Sequence, residues 1–453
     1  MGRDEKTSPS PVVDSDVDVA AAESQTYNTK PVNKWLSKVS TWGVELRGIT
    51  PVPLEERVDK RFINVFFVWF AMSTNLLPII TGMVAYFSTF GSRTGLRQML
   101  HARYTFGYYL ISIIVILNLC TISGFGIIDC VLGGSTLAAV SGGKIDSTAG
   151  IVIIAIIAMV VSFGGYRFLH QYERYSWIVS LIAIIITTGV GGKELFNQVE
   201  VEPASAATIV SYGGVVAGFL IPWAAMAADF SVYCDSTVST FRIFAYTYAG
   251  LCFPTVPLMV LGAAIGGATA NNEAWAQGYD EHIVGGVLQA MLTPAGGFGK
   301  FVAVLLSLSV VGNLAAAMYS ITLNFQLLVP LFLRVPRNVF AIIYTVVAIP
   351  VSISAARTFF SSLENFIYLI AYWSAAFVAV VGMEHFVFRR ADCASYDTSS
   401  WDQPSRLPTG IAAIVAMGPI AETTGDIGFE VALVLAALLY LPCRWIELKI
   451  RPV

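Results

Sequence analysis

The 453-residue chain is 56% hydrophobic and 13% charged, with a mean hydropathy of +0.68. Soluble domains seldom exceed about 50% apolar residues and carry roughly 25% charge. The composition therefore excludes a soluble globular protein, and the net charge of −3 gives no sign of a nucleic-acid partner. Several uncharged runs of about 18 residues or more predict a multi-pass membrane protein surrounded by lipid.

The N-terminal part of the chain is polar and rich in Ser and Pro, and it contains no apolar core of a signal peptide. This composition is typical of disordered segments. We therefore expect a disordered cytosolic tail over residues 1–55 and a transmembrane domain over residues 56–453.

Eight apolar segments follow one another between Tyr104 and Arg389. They cover residues 105–137, 148–163, 175–191, 208–228, 240–268, 299–329, 338–356 and 363–388. Basic residues, among them Arg167, Arg174 and Arg242, fall in every second loop, and acidic residues fall in the other loops. Because basic loops face the cytosol, this alternation predicts eight spans that begin and end inside.

The two ends of the membrane domain do not fit this pattern. The uncharged run FINVFFVWFAMSTNLLPIITGMVAYFSTF, residues 62–90, has basic clusters on both sides, which would place both flanks in the cytosol. Two crossings need roughly 40 residues, and this run is long enough for only one. Residues 407–421 hold about a dozen apolar residues, fewer than the roughly 17 to 25 of a usual span. The chain is therefore about one span short at each end.

Two apolar segments are interrupted by Gly and Pro. The first, TNLLPIITG, contains Asn75, Pro78 and Gly82, and the second, YGGVVAGFLIPW, contains Gly218 and Pro222. Broken helices in corresponding positions of two inverted repeats point to the central site of a transporter. Gly and Pro are also more frequent in membrane helices generally, so both interpretations stay open.

Asp129 and Asn313 are polar residues inside apolar spans. An ionisable group in mid-span costs about 2.5 kcal/mol or more and usually has a role, although a hydrogen-bonded structural aspartate is the alternative. Asn313 fits helix-to-helix hydrogen bonding as well as ligand contact. Phe125 and Trp223 could stack on a planar ligand or simply pack. Phe125 precedes Asp129 by four residues, so the two share a helix face.

Other polar residues of the spans carry less signal. Asp229, Glu384 and His385 lie at predicted cytosolic helix ends, and we interpret them as interfacial. The four histidines are scattered, and HExxH, CxxC, GxSxG and P-loop motifs are absent from the sequence. The sequence therefore predicts no catalytic residue, no metal site and no cofactor other than a coupling ion, and it does not support a membrane enzyme.

Several ordered motifs resemble the fungal purine–cytosine permease branch of the nucleobase–cation symporter family. They include GVELRGITPVPLEERVDKRF, NLLPIITG, FGSRTGLRQMLHARYTFGYY, WAAMAADFSVY and MYSITLNFQ, and the similarity runs from about Trp42 to the C-terminus. The resemblance implies an all-α integral membrane protein with the LeuT-like five-plus-five inverted-repeat bundle of twelve helices, of which we expect about ten or eleven spans here. It also implies uptake of cytosine, adenine, guanine or hypoxanthine across the plasma membrane, coupled to a proton or another cation.

The resemblance further implies a substrate site on the third, sixth and eighth helices together with the broken first helix. The family's third-helix motif of the type GWxxxN is GFGIID here. Phe125 therefore occupies the place of the stacking tryptophan, and Asp129 that of the purine-binding asparagine. Trp223 is similar to the sixth-helix tryptophan.

The eighth helix departs most from the family pattern. A motif like NNxPNMY is NLAAAMY in this chain. Asn313 is retained as the first asparagine, whereas Ala316 and Ala317 replace the proline and the amide that would contact the base. An alanine offers no side-chain hydrogen bond, and each unmet polar group of a ligand costs about 1 to 3 kcal/mol. We therefore expect a specificity different from the usual purine–cytosine pattern.

The resemblance also suggests an origin for the two short ends. We interpret residues 62–90 as a fused remnant of the first and second helices, and residues 407–421 as a truncated eleventh helix. Exon skipping, a faulty gene model and real loss would each produce such internal deletions. The leading hypothesis is a secondary active transporter of a nucleobase or related small heterocycle that works by alternating access. The alternative is a degenerate family member that does not transport.

Overall fold

The computed structural model describes residues 52–53, 82–200, 205, 213–214, 216–417 and 428–451. Helices make up the long elements of this part of the chain. Numbered here in chain order, the α-helices are α1 (Gly82–Thr94), α2 (Gln98–Phe106), α3 (Ile111–Ser141), α4 (Ser147–Phe163), α5 (Gly165–Gly191), α6 (Thr240–Thr269), α7 (Glu273–Leu292), α8 (Gly296–Leu328), α9 (Arg337–Ala355), α10 (Phe359–Met383), α11 (Ile411–Met417) and α12 (Gly428–Ile450).

Several helix ends coincide with residues that favour a helix boundary. Asp146 accepts a hydrogen bond from the backbone N–H of Ala149 at 2.8 Å and caps the start of α4. Asn272 caps α7 in the same way, through the N–H of Trp275 at 3.2 Å. Helix α3 ends at Gly142, whose φ of 65° lies in the left-handed region that favours glycine. Local sequence therefore sets these boundaries.

Among the described residues, seven helical stretches are long and apolar enough to cross a membrane. They are Ile111–Ser141, Phe168–Phe196, Thr240–Thr269, Glu273–Leu328, Arg337–Thr358, Leu369–Phe388 and Gly428–Ile450. Two shorter apolar helices, Ser147–Phe163 and Val216–Ala225, accompany them in the described part of the chain. A helix satisfies its backbone hydrogen bonds internally, as the bilayer interior requires. The chain is therefore a multi-pass membrane protein.

Helices α3 and α8 pack against each other at the centre of the bundle, with α4, α5, α7 and α9 around them. The hydroxyl of Ser307 on α8 donates to the backbone carbonyl of Gly133 on α3 at 2.7 Å. A Cβ at Gly133 would lie only 2.8 Å from Val310, so the two helices approach closely where the small residue allows it. This contact brings the middle of α3, with Asp129, next to the middle of α8, with Asn313.

Two segments predicted as loops are helical. The predicted loop with Arg167 and Arg174 is the first half of α5, and the predicted loop after residue 268 contains α7. A search for uncharged runs ends a span at its first charged residue, so it misses helix that continues beyond the charges. In α7 the polar stretch EAWAQGYDEH conceals the helix for the same reason.

The segments interpreted as remnants are described only in part. Residues 54–81 and 418–427 lie outside the described residues, as does the expected tail except for residues 52–53. Helix α1 begins at Gly82, within the interpreted remnant 62–90, and α11 contains seven residues, Ile411–Met417. The fused first helix and the truncated eleventh helix therefore remain predictions.

Candidate functional site

Asp129 on α3 and Asn313 on α8 meet in the middle of the bundle. Both side chains are almost fully buried, with 4% and 1% of their surfaces exposed. The amide nitrogen of Asn313 donates to Oδ2 of Asp129 at 2.8 Å. The two polar residues that the sequence singles out within apolar spans are therefore direct partners.

The pair leaves the amide oxygen of Asn313 without a donor. Oδ1 of Asn313 is buried and has no hydrogen-bond partner in the part of the chain that the structure describes. The Asp129 carboxylate receives one side-chain hydrogen bond among those residues, the bond from Asn313. A buried acceptor without a donor costs about 1 to 3 kcal/mol, so the amide oxygen of Asn313 is suited to a ligand that brings its own donor.

Aromatic rings line the neighbouring surface. The rings of Phe125 and Trp223 stack with centroids 5.5 Å apart and planes at 23°. Phe219 and Phe366 meet the edge of Phe125 at 5.2 Å and 5.5 Å. A planar ligand between Phe125 and Trp223 would need their planes about 7 Å apart, two contact distances of about 3.5 Å. The two rings must therefore separate before such a ligand can lie between them.

Gly218 and Pro222 of the second predicted helix break lie within the described residues. Pro222 and Trp223 lie in a 3₁₀ helix, Ile221–Ala225, which is followed by a second one, Ala227–Phe230. The chain is thus not regular α-helix at this point. A Cβ at Gly218 would lie 2.6 Å from the Cβ of Ala371, so this glycine allows α10 to pack closely.

The break predicted in the first span is only partly visible. Asn75 and Pro78 lie outside the described residues. Gly82 begins α1, and a Cβ there would meet no atom within 4 Å among the described residues. A role of this segment in lining the site remains a prediction.

Ala316 and Ala317 lie one turn after Asn313 on α8 and are fully buried. Residues three and four positions apart share a helix face, so both methyl groups adjoin the side of α8 that carries Asn313. They supply apolar surface where the family resemblance would place a proline and an amide.

A model of the family described as permease for cytosine/purines, uracil, thiamine, allantoin matches residues 64–431. The match covers well over half of the chain. The chain belongs to this permease family. The resemblance carried by the sequence motifs is thereby confirmed.

Curated relatives of the permease span nearly its whole length. Purine-cytosine permease fcyB of Emericella nidulans is 33% identical, over 97% of each chain. Purine-cytosine permease FCY2 of Saccharomyces cerevisiae is 30% identical, over 97% of this chain and 96% of the relative. The alignment to fcyB has 496 positions, whereas 97% of 453 residues is about 439, so about 57 positions of it have no residue in this chain.

Solved structures confirm the fold class. Mhp1, a nucleobase-cation-symport-1 family transporter, matches in its inward-facing conformation with a TM-score of 0.69 at 16% identity, over 90% of this chain and 96% of that chain. Its closed conformation, with bromovinylhydantoin bound, matches with a TM-score of 0.66 at 16% identity, over 86% and 93%. The permease therefore has the LeuT-like helical bundle.

Glu173 is a buried acidic residue that the sequence interpretation overlooked. It lies in α5 and is 0% exposed, and neither carboxylate oxygen has a hydrogen-bond partner within the described residues. A Cβ at Gly312 would lie 3.0 Å from its Oε1, so the carboxylate faces α8 one residue before Asn313. Its position between charged neighbours in a predicted loop concealed it. The helical spacing of Leu169 and Glu173, four positions apart, places them on one face of α5, and this pattern could have predicted that Glu173 is buried.

Asp229, Glu384 and His385, interpreted from the sequence as interfacial, are buried. Oδ1 of Asp229 accepts from the backbone N–H of Gln98 at 2.8 Å, and its Oδ2 accepts from the hydroxyl of Ser320 at 2.6 Å. Packing against α2 and α8 covers Asp229 at the end of the broken segment, a burial that the sequence interpretation did not predict.

Glu384 and His385 belong to a second buried network at the same end of the bundle. Oε2 of Glu384 accepts from Nε of Arg444 at 3.0 Å and from the hydroxyl of Tyr440 at 2.8 Å. The ring of His385 hydrogen bonds with the hydroxyls of Tyr86 at 3.0 Å and Tyr396 at 3.1 Å. These networks hold α12 and the segment after α10 against the rest of the bundle.

Ionisable groups at this end, outside the spans, have shifted pKa values. Burial, and then the charges of His385 and Arg389, lower the pKa of His101 well below 6.5. Burial raises the pKa of Tyr104 to about 12. Both shifts favour the uncharged side chain, as expected for a tightly packed region.

Proposed function

We propose that the chain is a secondary active transporter that takes up a nucleobase, of the cytosine or purine type, or a related small heterocycle. Transport proceeds by alternating access, with the substrate bound between α3, α8 and the 3₁₀ segment that contains Trp223. The printed names of the relatives fcyB and FCY2 support this substrate class. The observation that carries the proposal is the Asp129–Asn313 pair next to the stacked rings of Phe125 and Trp223.

The site chemistry suits a flat polar ligand. Aromatic rings provide stacking surface, and the unpartnered amide oxygen of Asn313 and the carboxylate of Asp129, both buried, provide hydrogen-bond acceptors among the described residues. Pockets of this kind combine apolar walls with few, well-placed polar groups. The same residues support no hydrolytic or transfer chemistry, and the matched family is one of transporters.

We propose that a proton is the coupling ion. Two buried carboxylates, Asp129 and Glu173, lie within the bundle, with one side-chain hydrogen bond and none, respectively, among the described residues. A charged carboxylate without partners is costly inside a membrane, and such residues often form proton relays. Glu173 adjoins Gly312 and Asp129 contacts Asn313, so successive residues of α8 connect the two.

We infer a plasma-membrane location with the N-terminus in the cytosol. The basic loops of the alternating pattern support the orientation, since positive charge collects on the cytosolic side.

The test is uptake by cells that lack their own nucleobase permeases and express this chain. We expect uptake of labelled nucleobase that stops in Asp129→Ala, measured with equal surface expression of each variant. The matched control is Asp146→Asn, which changes a carboxyl group at the exposed start of α4 and should retain uptake, since Asn caps a helix as well as Asp. Uptake of no nucleobase, or full uptake by Asp129→Ala, would contradict the proposal.

We further propose that residues 62–90 and 407–421 result from internal deletions. The roughly 57 alignment positions without counterpart in this chain support this. Genomic sequence around codons 82–83 and 416–417 provides the test. Open coding sequence for both missing pieces at these places is expected. If the chain takes up substrate only after those pieces are restored, the deletions have removed the transport activity from the chain as given.

A further inference from the structure

We infer that Asp129 and Asn313 select planar heterocycles whose binding edge presents two adjacent N–H donors. This inference rests on the proposed function, and it names the ligand chemistry of the same site. The structure assigns it through the hydrogen-bonding capacity that remains after the two side chains have bound each other.

Among the described residues, the Asp129–Asn313 pair offers acceptors but no spare donor at the polar end of the site. We take Asp129 as ionised when the ligand binds, with the coupling proton on Glu173. An ionised carboxylate only accepts hydrogen bonds, and the NH₂ group of Asn313 faces it at 2.8 Å. The amide of Asn313 thereby directs its donor at the carboxylate. The amide oxygen is buried and has no hydrogen-bond partner among the described residues, so it is available as an acceptor. Asp129 contributes a second acceptor, Oδ1.

Neighbouring positions do not restore a donor. Ala316 and Ala317, on the same side of α8, carry methyl groups only. The hydroxyl of Ser307 donates to the carbonyl of Gly133 at 2.7 Å. The hydroxyl of Tyr344 points to the carbonyl of Ser123 at 3.5 Å. Within the described part of the chain, the donors for these acceptors must therefore come from the ligand.

Two acceptors on directly bonded side chains discriminate between heterocycles of the same size. Guanine and isocytosine present a ring N–H next to an exocyclic amine, which is a donor–donor edge. Neutral cytosine presents the amine next to a ring nitrogen that can only accept, and hypoxanthine lacks the amine. An asparagine at position 129 would offer one donor and one acceptor and would match cytosine instead.

The expected difference in binding affinity follows from the free-energy cost of an unmatched polar group. When a buried acceptor faces another acceptor, the loss corresponds to about a 5- to 150-fold weaker affinity. Cytosine and isocytosine are isomers, so their difference in affinity reports the hydrogen-bonding edge and not size or stacking area. Guanine and hypoxanthine repeat the comparison on the larger ring system.

The experiment measures equilibrium binding of these four compounds to the purified full chain in lipid nanodiscs. We expect isocytosine to bind at least about tenfold tighter than cytosine, and guanine tighter than hypoxanthine. Asp129→Asn should bring the isocytosine-to-cytosine ratio to one or below. Asp129→Glu keeps two acceptor oxygens and should keep the wild-type order, and Asp146→Asn should leave the ratio unchanged.

Each outcome decides the inference. Equal binding of cytosine and isocytosine by the wild-type chain would overturn it, and this comparison does not depend on the folding of any variant. An unchanged ratio in a folded Asp129→Asn protein would also overturn it while leaving the proposed function intact. Binding of none of the four compounds would overturn the proposed function, and this inference with it.

Discussion

Four buried carboxylates in the described part of the chain divide it into two regions. At one end of the bundle, Asp229 accepts hydrogen bonds on both oxygens and Glu384 lies between Arg444, Arg389 and Tyr440. In the middle, Asp129 has one side-chain partner, Asn313, and Glu173 has none in the described part of the chain. All four are almost fully buried, so burial alone does not distinguish them.

The difference separates structural from functional use of the same chemical group. A buried carboxylate with matched donors stabilises one arrangement of the helices that supply them. A buried carboxylate without matched donors has a cost, and such residues in membrane proteins mark substrate and proton pathways. Substitutions in the first region should therefore change stability, and substitutions in the second should change binding or coupling.

The largest loss of stability is expected for Glu384→Gln. The substitution puts a neutral amide in place of one of the two carboxylate partners of Arg444, which is 2% exposed: it removes the Glu384 carboxylate at 3.0 Å and keeps Glu447 at 3.1 Å. Breaking a buried ion pair from one side costs about 3 to 5 kcal/mol. Denaturant unfolding of the purified protein measures the change. The exposed pair Arg406–Asp397 at 3.7 Å is the control, and Arg406→Gln should leave the unfolding midpoint unchanged. Equal stability of the two variants would refute the structural role of Glu384.

A smaller loss of stability is expected for Ser320→Ala. The substitution removes the hydroxyl that donates to Oδ2 of Asp229 at 2.6 Å. A hydrogen bond to a charged group contributes about 1.5 to 3 kcal/mol. Ser309→Ala on the same helix removes only a bond to the carbonyl of Leu306 within α8 and is the matched control. The two variants should differ in thermal midpoint, and the prediction fails if Ser309→Ala is the less stable protein.

In the middle of the bundle, Glu173→Gln tests the carboxylate without partners. The amide keeps the shape of the side chain but cannot release a proton. We expect the free energy of unfolding to change little, and proton-driven accumulation of substrate to fall at least about tenfold, or about 1.4 kcal/mol in the coupling. Uptake at an imposed pH gradient, compared with exchange at equal pH, measures this. Undiminished accumulation by the variant would exclude Glu173 from coupling.

The sequence predicted this architecture well where hydrophobicity, helical spacing or a family motif alone determines the feature. Uncharged runs identified the spans, and the spacing of four residues placed Phe125 and Asp129 on one face of α3. Family motifs identified the bundle, which the match to Mhp1 confirms. The pairing of Asp129 with Asn313 was not predicted, because it depends on how closely α3 and α8 approach.

The sequence failed where a charged residue is buried by distant parts of the chain. Glu173 lies among charges in a predicted loop, yet α8 covers it. Asp229 lies at a predicted helix end, yet Gln98 and Ser320, more than 90 positions away, surround it. Charge alone predicts exposure, and only the tertiary contacts of each residue reverse that prediction.

The smallest change in stability is expected from His101, at the end of the bundle that contains Asp229 and Glu384. Its ring stacks on Phe90 at 4.2 Å, and neither ring nitrogen has a hydrogen-bond partner in the described part of the chain. Because its pKa is lowered in the folded protein, the unfolded chain takes up a proton first as the pH falls below about 6.5. Stability should therefore decrease by about 1.4 kcal/mol per pH unit below that value. His101→Phe retains the stacking without the titration, so unfolding of the variant should depend less on pH between 7.5 and 5.5 than unfolding of the wild type. An equal pH dependence of both proteins would assign the acid sensitivity to another group.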